Sequence, residues 1–154
     1  MPQGSRVLTP DTARSLRRAL PARHRLADEW ELLHSTDTHG VSVAGLLANV
    51  EWHAPTVLLV QDSSGARFGA YCSAPWESHP AYFGTGETFV FALAPFQAFR
   101  WTRRNDYFML ARRGEGLAVG GGEANAIRLD SDLHWGTSGP CCTFASPPLA
   151  GAGA

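Results

Sequence analysis

Apolar positions along this chain fall into two short helical stripes followed by a train of short strand-like runs. Thr9-Pro10-Asp11 marks a helix start. It supplies a hydroxyl cap, a proline whose missing N–H costs nothing in the first turn, and an acid at the positive end of the helix dipole. Ala13, Leu16 and Leu20 then recur at helical spacing while Arg14, Arg17 and Arg18 lie off that stripe. The spacing predicts a helix over about 10–20, closed by Pro21. Ser42 can cap a second helix that carries Val43, Leu46, Leu47 and Val50, with Gly45 weakening it.

Strands are predicted at Trp30–Ser35, Thr56–Gln61, Arg67–Ser73, Thr88–Leu93, Gln97–Trp101, Tyr107–Ala111, Gly116–Val119 and Ala126–Leu129. Turn chemistry separates them, as in Asp62-Ser63-Ser64-Gly65. Two runs, Thr-Val-Leu-Leu-Val and Phe-Val-Phe-Ala-Leu, are apolar on both faces instead of alternating. Such strands need cover on both faces, as in a sandwich or a sheet flanked by helices. Many short strands with only two helices indicate a mostly antiparallel α+β fold. No repeat or internal linker interrupts the chain, so one domain is expected over 1–149, with a frayed Ala-Gly tail at 150–154.

Composition narrows the functional classes. Thirteen Lys+Arg against fourteen Asp+Glu give a net charge of −1, which supplies no overall field for nucleic acid. No apolar run is long enough to span a bilayer, so no membrane insertion is expected. Cys72, Cys141 and Cys142 include no CxxC pair, and a disulfide between neighbours is strained. A reducing, cytoplasmic setting and a monomeric chain are the simpler expectations. The first 27 residues carry Arg6, Arg14, Arg17, Arg18, Arg23 and Arg25 against Asp11 alone. That composition also fits a mitochondrial transit peptide, as an alternative to a helix packed on the domain.

Several residue groups invite chemistry. Gly84-Thr85-Gly86-Glu87 resembles the start of a phosphate loop, but a carboxylate and a strand stand where lysine and a helix are needed. Gly120-Gly121-Gly122-Glu123 reads as a wide turn. Glu87 and Glu123 could form an acid–base pair only if the fold opposes them. Asp132, His134 and Ser138 are triad residue types without a nucleophile elbow. The histidines are dispersed with no metal-binding spacing, and no cofactor is called for; His39 before Gly40 reads as a turn residue. Cys141-Cys142 is a candidate redox pair. Phe89, Phe91, Phe96, Phe99 and Trp101 read as core. No self-contained catalytic constellation emerges, which points to a regulatory binding module more than to an enzyme.

The order of the pieces is more specific than any one of them. Trp30-Glu-Leu-Leu-His-Ser-Thr, His39-Gly40, Pro55-Thr56, Phe68-Gly69-Ala70-Tyr71 and Pro75-Trp76 come first. They are followed by Tyr82-Phe83-Gly84-Thr85-Gly86-Glu87, Trp101, Asn105-Asp106-Tyr107-Phe108, Gly120–Gly122 and Cys141-Cys142-Thr143-Phe144. This series closely resembles the TLDc domain of oxidation-resistance proteins, from about Leu8 to Leu149. The resemblance implies two antiparallel sheets packed as a sandwich with flanking helices. It also implies a non-enzymatic role in resistance to oxidative stress and docking on the vacuolar proton-pumping ATPase. A direct thiol- or carboxylate-based scavenger is the rival. On the family motif fall Gly40, Trp76, Gly84, Gly86, Trp101, Gly120, Gly121 and Gly122 as fold residues, with Glu87, Asn105, Asp106 and Glu123 as candidate contacts. The chain resembles stand-alone members, and the family's helix leading into Leu20-Pro21 weakens the transit-peptide alternative.

Overall fold

A computed structural model describes residues 9–24, 31–93, 95–112, 114–133 and 135–150. Thr9 caps helix α1 (Pro10–Ala19): its hydroxyl accepts from Thr12 N, while the Thr12 side chain accepts from Thr9 N in return. A 3-10 turn (Ala22–His24), a one-turn helix α2 (Thr36–His39) and α3 (Val43–Val50) follow, α3 being capped by the Ser42 hydroxyl on Gly45 N at 3.0 Å. The remaining elements are β1 (Thr56–Gln61), β2 (Arg67–Cys72), β3 (Phe89–Leu93), β4 (Phe96–Phe99), β5 (Met109–Arg112), β6 (Gly116–Val119), β7 (Ile127–Asp130) and β8 (Gly136–Thr137). They form two antiparallel four-stranded meanders, β1-β2-β3-β4 and β5-β6-β7-β8.

The doubly apolar strands now have their reason. Leu58, Val60, Phe68, Ala70, Cys72 and Val90 share one core with α3 and with Met109, Ala111, Leu117, Val119 and Ile127 of the other sheet. Val57, Leu59, Tyr71, Phe89, Phe91 and Leu93 form a second core, closed by Leu16, Ala19 and Leu20 of α1. The first sheet is therefore covered on both faces, and α1 is its outer layer. Arg100 fastens that layer by donating to Ala19 O at 2.8 Å while its guanidinium lies 4.9 Å from the Phe89 ring centre.

One predicted strand is corrected. Glu31–Ser35 contains no strand, and Trp30 lies outside the described residues. Ser35 instead opens α2: its carbonyl accepts from His39 N at 2.7 Å and its N–H donates to His39 Nδ1 at 2.9 Å. Local side-chain bonding takes the backbone groups a ladder would have used. The other predicted strands are present with ends moved by one or two residues, except that Trp101 leaves its strand for the loop end described next.

Candidate functional site

Apart from Gly40 and Trp76, the family-motif residues gather where the 80–87, 100–108, 120–126 and 138–146 loops meet. Gly86 is the floor for Trp101: a Cβ there would sit 2.2 Å from the indole Cε3, so only glycine admits the ring. The indole Nε1 donates to Asn105 O at 2.7 Å, its edge meets Phe108, and the Arg103 guanidinium lies 5.2 Å from its ring centre. Asn105 then turns the chain. Its Oδ1 accepts from Tyr107 N at 3.1 Å and from the Thr143 hydroxyl at 2.7 Å.

Thr143, wholly buried, is the centre of the knot, since its Oγ1 also accepts from Gly121 N at 3.0 Å. The Thr102 hydroxyl ties the same loop by donating to Cys142 O at 2.7 Å. Asn125 closes the other side, its Nδ2 donating to Gly120 O at 2.6 Å and to Tyr82 Oη at 3.0 Å. A Cβ on Gly120 would meet Cys141 Sγ at 2.6 Å, and one on Gly121 would meet Tyr107 Cβ at 2.8 Å. The triple glycine is thus a place where two loops pack backbone to side chain with no room between them.

The structure divides the predicted site residues accordingly. Gly84, Gly86, Trp101, Asn105, Gly120, Gly121 and Gly122 belong to the knot or border it, with Gly122 on its exposed side. Trp76 is buried in the inter-sheet core against Phe83, and Gly40 ends α2 at φ +98°, where its carbonyl meets His34 Nε2 at 3.1 Å. Asp106 and Glu123 are exposed on the rim, beside exposed Arg103, Arg104 and half-exposed Tyr107. Glu87 is exposed but engaged, because both carboxylate oxygens meet the Arg23 guanidinium, one at 2.8 Å. Burial first, and the Glu87 charge second, push the nearby Tyr71 phenol above its ordinary pKa.

The thiols differ among themselves. Cys141 is buried, and its Sγ lies 3.5 Å from Gly121 O, an acceptor within the knot. Cys142 is half-buried beside Gly122. Burial pushes the Cys72 thiol up to about 12, so it carries little thiolate at neutral pH. Ser138 is a tie, donating to Ala126 O at 2.6 Å and accepting from Leu149 N at 2.7 Å; His134 lies outside the described residues. Among the described residues no group of three His, Cys, Asp or Glu side chains is placed to hold a metal ion, and no helix is long and apolar enough to cross a membrane. Sequence reasoning missed Thr143, Tyr82, Tyr107, Thr102 and Asn125 as knot members. Thr143, between a cysteine and a phenylalanine, gave the available signal, since a polar residue inside an apolar run needs a partner.

Fold and site together define a two-sheet sandwich whose loop end is tied into a hydrogen-bonded knot and rimmed with charge. The sequence profile of the TLDc domain matches residues 1–154, and the chain belongs to the TLDc family. It is 37% identical over 149 residues to oxidation resistance protein 1 of Rattus norvegicus, covering 95% of this chain and 18% of that protein. The human oxidation resistance protein 1 matches at 37% over 149 residues, covering 95% and 17%. The GTPase-activating protein skywalker of Drosophila melanogaster matches at 36% over 141 residues, covering 79% and 24%. The chain therefore spans less than a quarter of the length of these relatives.

Proposed function

We propose that this domain is a docking module that uses the charged rim of the loop knot to bind subunits of the vacuolar proton-pumping ATPase, and so supports resistance to oxidative stress. The observation that carries the reading is the division of labour at the loop end. Asn105, Thr143, Thr102 and Asn125 spend their polar atoms on one another, on the Tyr82 hydroxyl and on backbone, while Arg103, Arg104, Asp106 and Glu123 are exposed on the frame they make. Fixed exposed charge on a rigid scaffold suits recognition by electrostatic complementarity. The relatives' names support the oxidative-stress setting. Docking on that pump places the domain in the cytoplasm. Glu87 serves the reading indirectly, as the anchor that Arg23 uses to hold the segment after α1.

Reversing Asp106 and Glu123 together to Lys tests the rim. The double variant is expected to lose capture of the pump's subunits while keeping the wild-type melting temperature, since neither side chain holds the knot. The thiol-scavenger alternative draws on half-buried Cys142 at the same rim. It predicts that protection against peroxide disappears in a folded Cys141→Ser, Cys142→Ser variant, whereas the docking reading predicts that capture and protection both survive.

A further inference from the structure

The four outer edges of the two sheets are not equally protected. On β5 the edge is occupied: Phe83 and Met109 exchange both backbone bonds at 2.8 and 2.9 Å, and His79 N donates to Ala111 O at 2.9 Å. β8 is two residues long, and β4 is four residues long, entered by Pro95 and packed under α1 through Phe96 and Ala98. Short edges, prolines and covering segments are the usual defences against strand addition. β1, entered by Pro55 as β4 is by Pro95, is longer than either β4 or β8, and among the described residues no segment pairs along its outer side. It runs six residues, Thr56 to Gln61, pairs with β2 in unbroken register, and carries no charge and no bulge.

Its exposure fits an open edge. No residue of β1 is fully buried, although five of the six are half-buried and four of those are Val or Leu, whereas β2 beside it is buried at every position after Arg67. The ladder fixes which backbone groups are unpaired. Asp62 N donates to Ala66 O at 3.0 Å, continuing the β1–β2 pairing, so alternation turns Thr56, Leu58 and Val60 toward β2. Val57, Leu59 and Gln61 then present their N–H and C=O outward, and among the described residues no backbone bond reaches them there.

We infer that the β1 edge is an interface for a second copy of this chain, β1 against β1, antiparallel about a two-fold axis through Leu59. That register is the one that pairs all three outward-facing residues within the strand: Val57 with the second Gln61, Leu59 with Leu59, and Gln61 with the second Val57. Leu58 and Val60 fall opposite each other on the inter-sheet side, while the two Leu59 side chains meet on the α1 side. Every cross-strand pair is uncharged, so the edge is complementary to itself, as an isologous two-fold contact requires. The result is one continuous eight-stranded sheet. A lone six-residue seam buries less than the roughly 1,200 Å² of a standard stable interface, so association is weak and appears at high protein concentration or when the domain is tethered in pairs.

The test uses the protein itself. Sedimentation velocity from low-micromolar to near-millimolar protein is expected to show a shift from monomer toward dimer, with amide exchange at Val57, Leu59 and Gln61 slowing in parallel. Gln61→Pro removes an outward N–H that the β1–β2 ladder does not use, at an exposed position, and is expected to melt like wild type yet remain monomeric. Leu59→Pro removes the bonds at the two-fold axis and should also stay monomeric, though its lost side chain lowers stability. A wild-type chain that remains monomeric at every concentration overturns the inference. So does a folded Gln61→Pro chain that associates as strongly as wild type, because the contact then lies elsewhere.

Discussion

At the scale of single residues, the loop end depends on absences as much as on groups. Replacing Gly86 with Ala drives a methyl into Trp101 and is expected to cost about 1–3 kcal/mol of unfolding free energy, read as a lowered urea midpoint at unchanged slope. Asn105→Ala removes the acceptor of the Tyr107 N–H and the nearer acceptor of the buried Thr143 hydroxyl, leaving that hydroxyl only Gly121 O at 3.3 Å to donate to, with an expected loss of about 1–2 kcal/mol by the same measurement. His34 sets a pH dependence. Its Nε2 meets Gly40 O at 3.1 Å and its Nδ1 meets Asn49 Nδ2 at 2.9 Å, an arrangement suited to the neutral ring. Burial lowers its pKa below 6.5, the Gly40 carbonyl opposes that shift, and His39, 5.5 Å away, adds to it. The unfolded chain therefore binds the proton more readily. Stability from this site is intact above pH 6.5 and falls as pH drops through the unfolded value and then the lower folded one. Denaturant melts at neutral and mildly acid pH should show that loss in wild type and a smaller one in His34→Gln.

At the scale of elements, α1 is an integral layer held chiefly by apolar contact. Leu16 is fully buried against the aromatic face of the first sheet, so Leu16→Ala should cost about 2–5 kcal/mol, visible as a fall in the melting temperature. How far each element was legible in the sequence follows from what specifies it. The caps at Thr9 and Ser42 and the doubly apolar runs are local signals with one physical use, and they gave both longer helices and the two-sided burial of the first sheet. Glu31–Ser35 misled because Leu32 and Leu33 suit a strand, while the deciding bonds, from His39 back to Ser35, reach forward in the chain. The knot was partly legible. Gly86 and Trp101 stood out as motif residues, but their contact joins two loops, and Thr143 finds Asn105 and Gly121 across long separations that no spacing rule encodes.

At the scale of the whole molecule, the fold separates three surfaces. α1 covers one face of the first sheet, the loop knot closes one end, and among the described residues β1 leaves an edge open. The chain is a TLDc domain that spans less than a quarter of the relatives described above. The docking account is tested most directly by capture from cell extract with purified domain, wild type beside Asp106→Lys, Glu123→Lys, each first shown to melt at the same temperature. The account predicts enrichment of vacuolar ATPase subunits by the wild-type domain and its loss with the double variant. No enrichment by wild type, or equal enrichment by both, would contradict it.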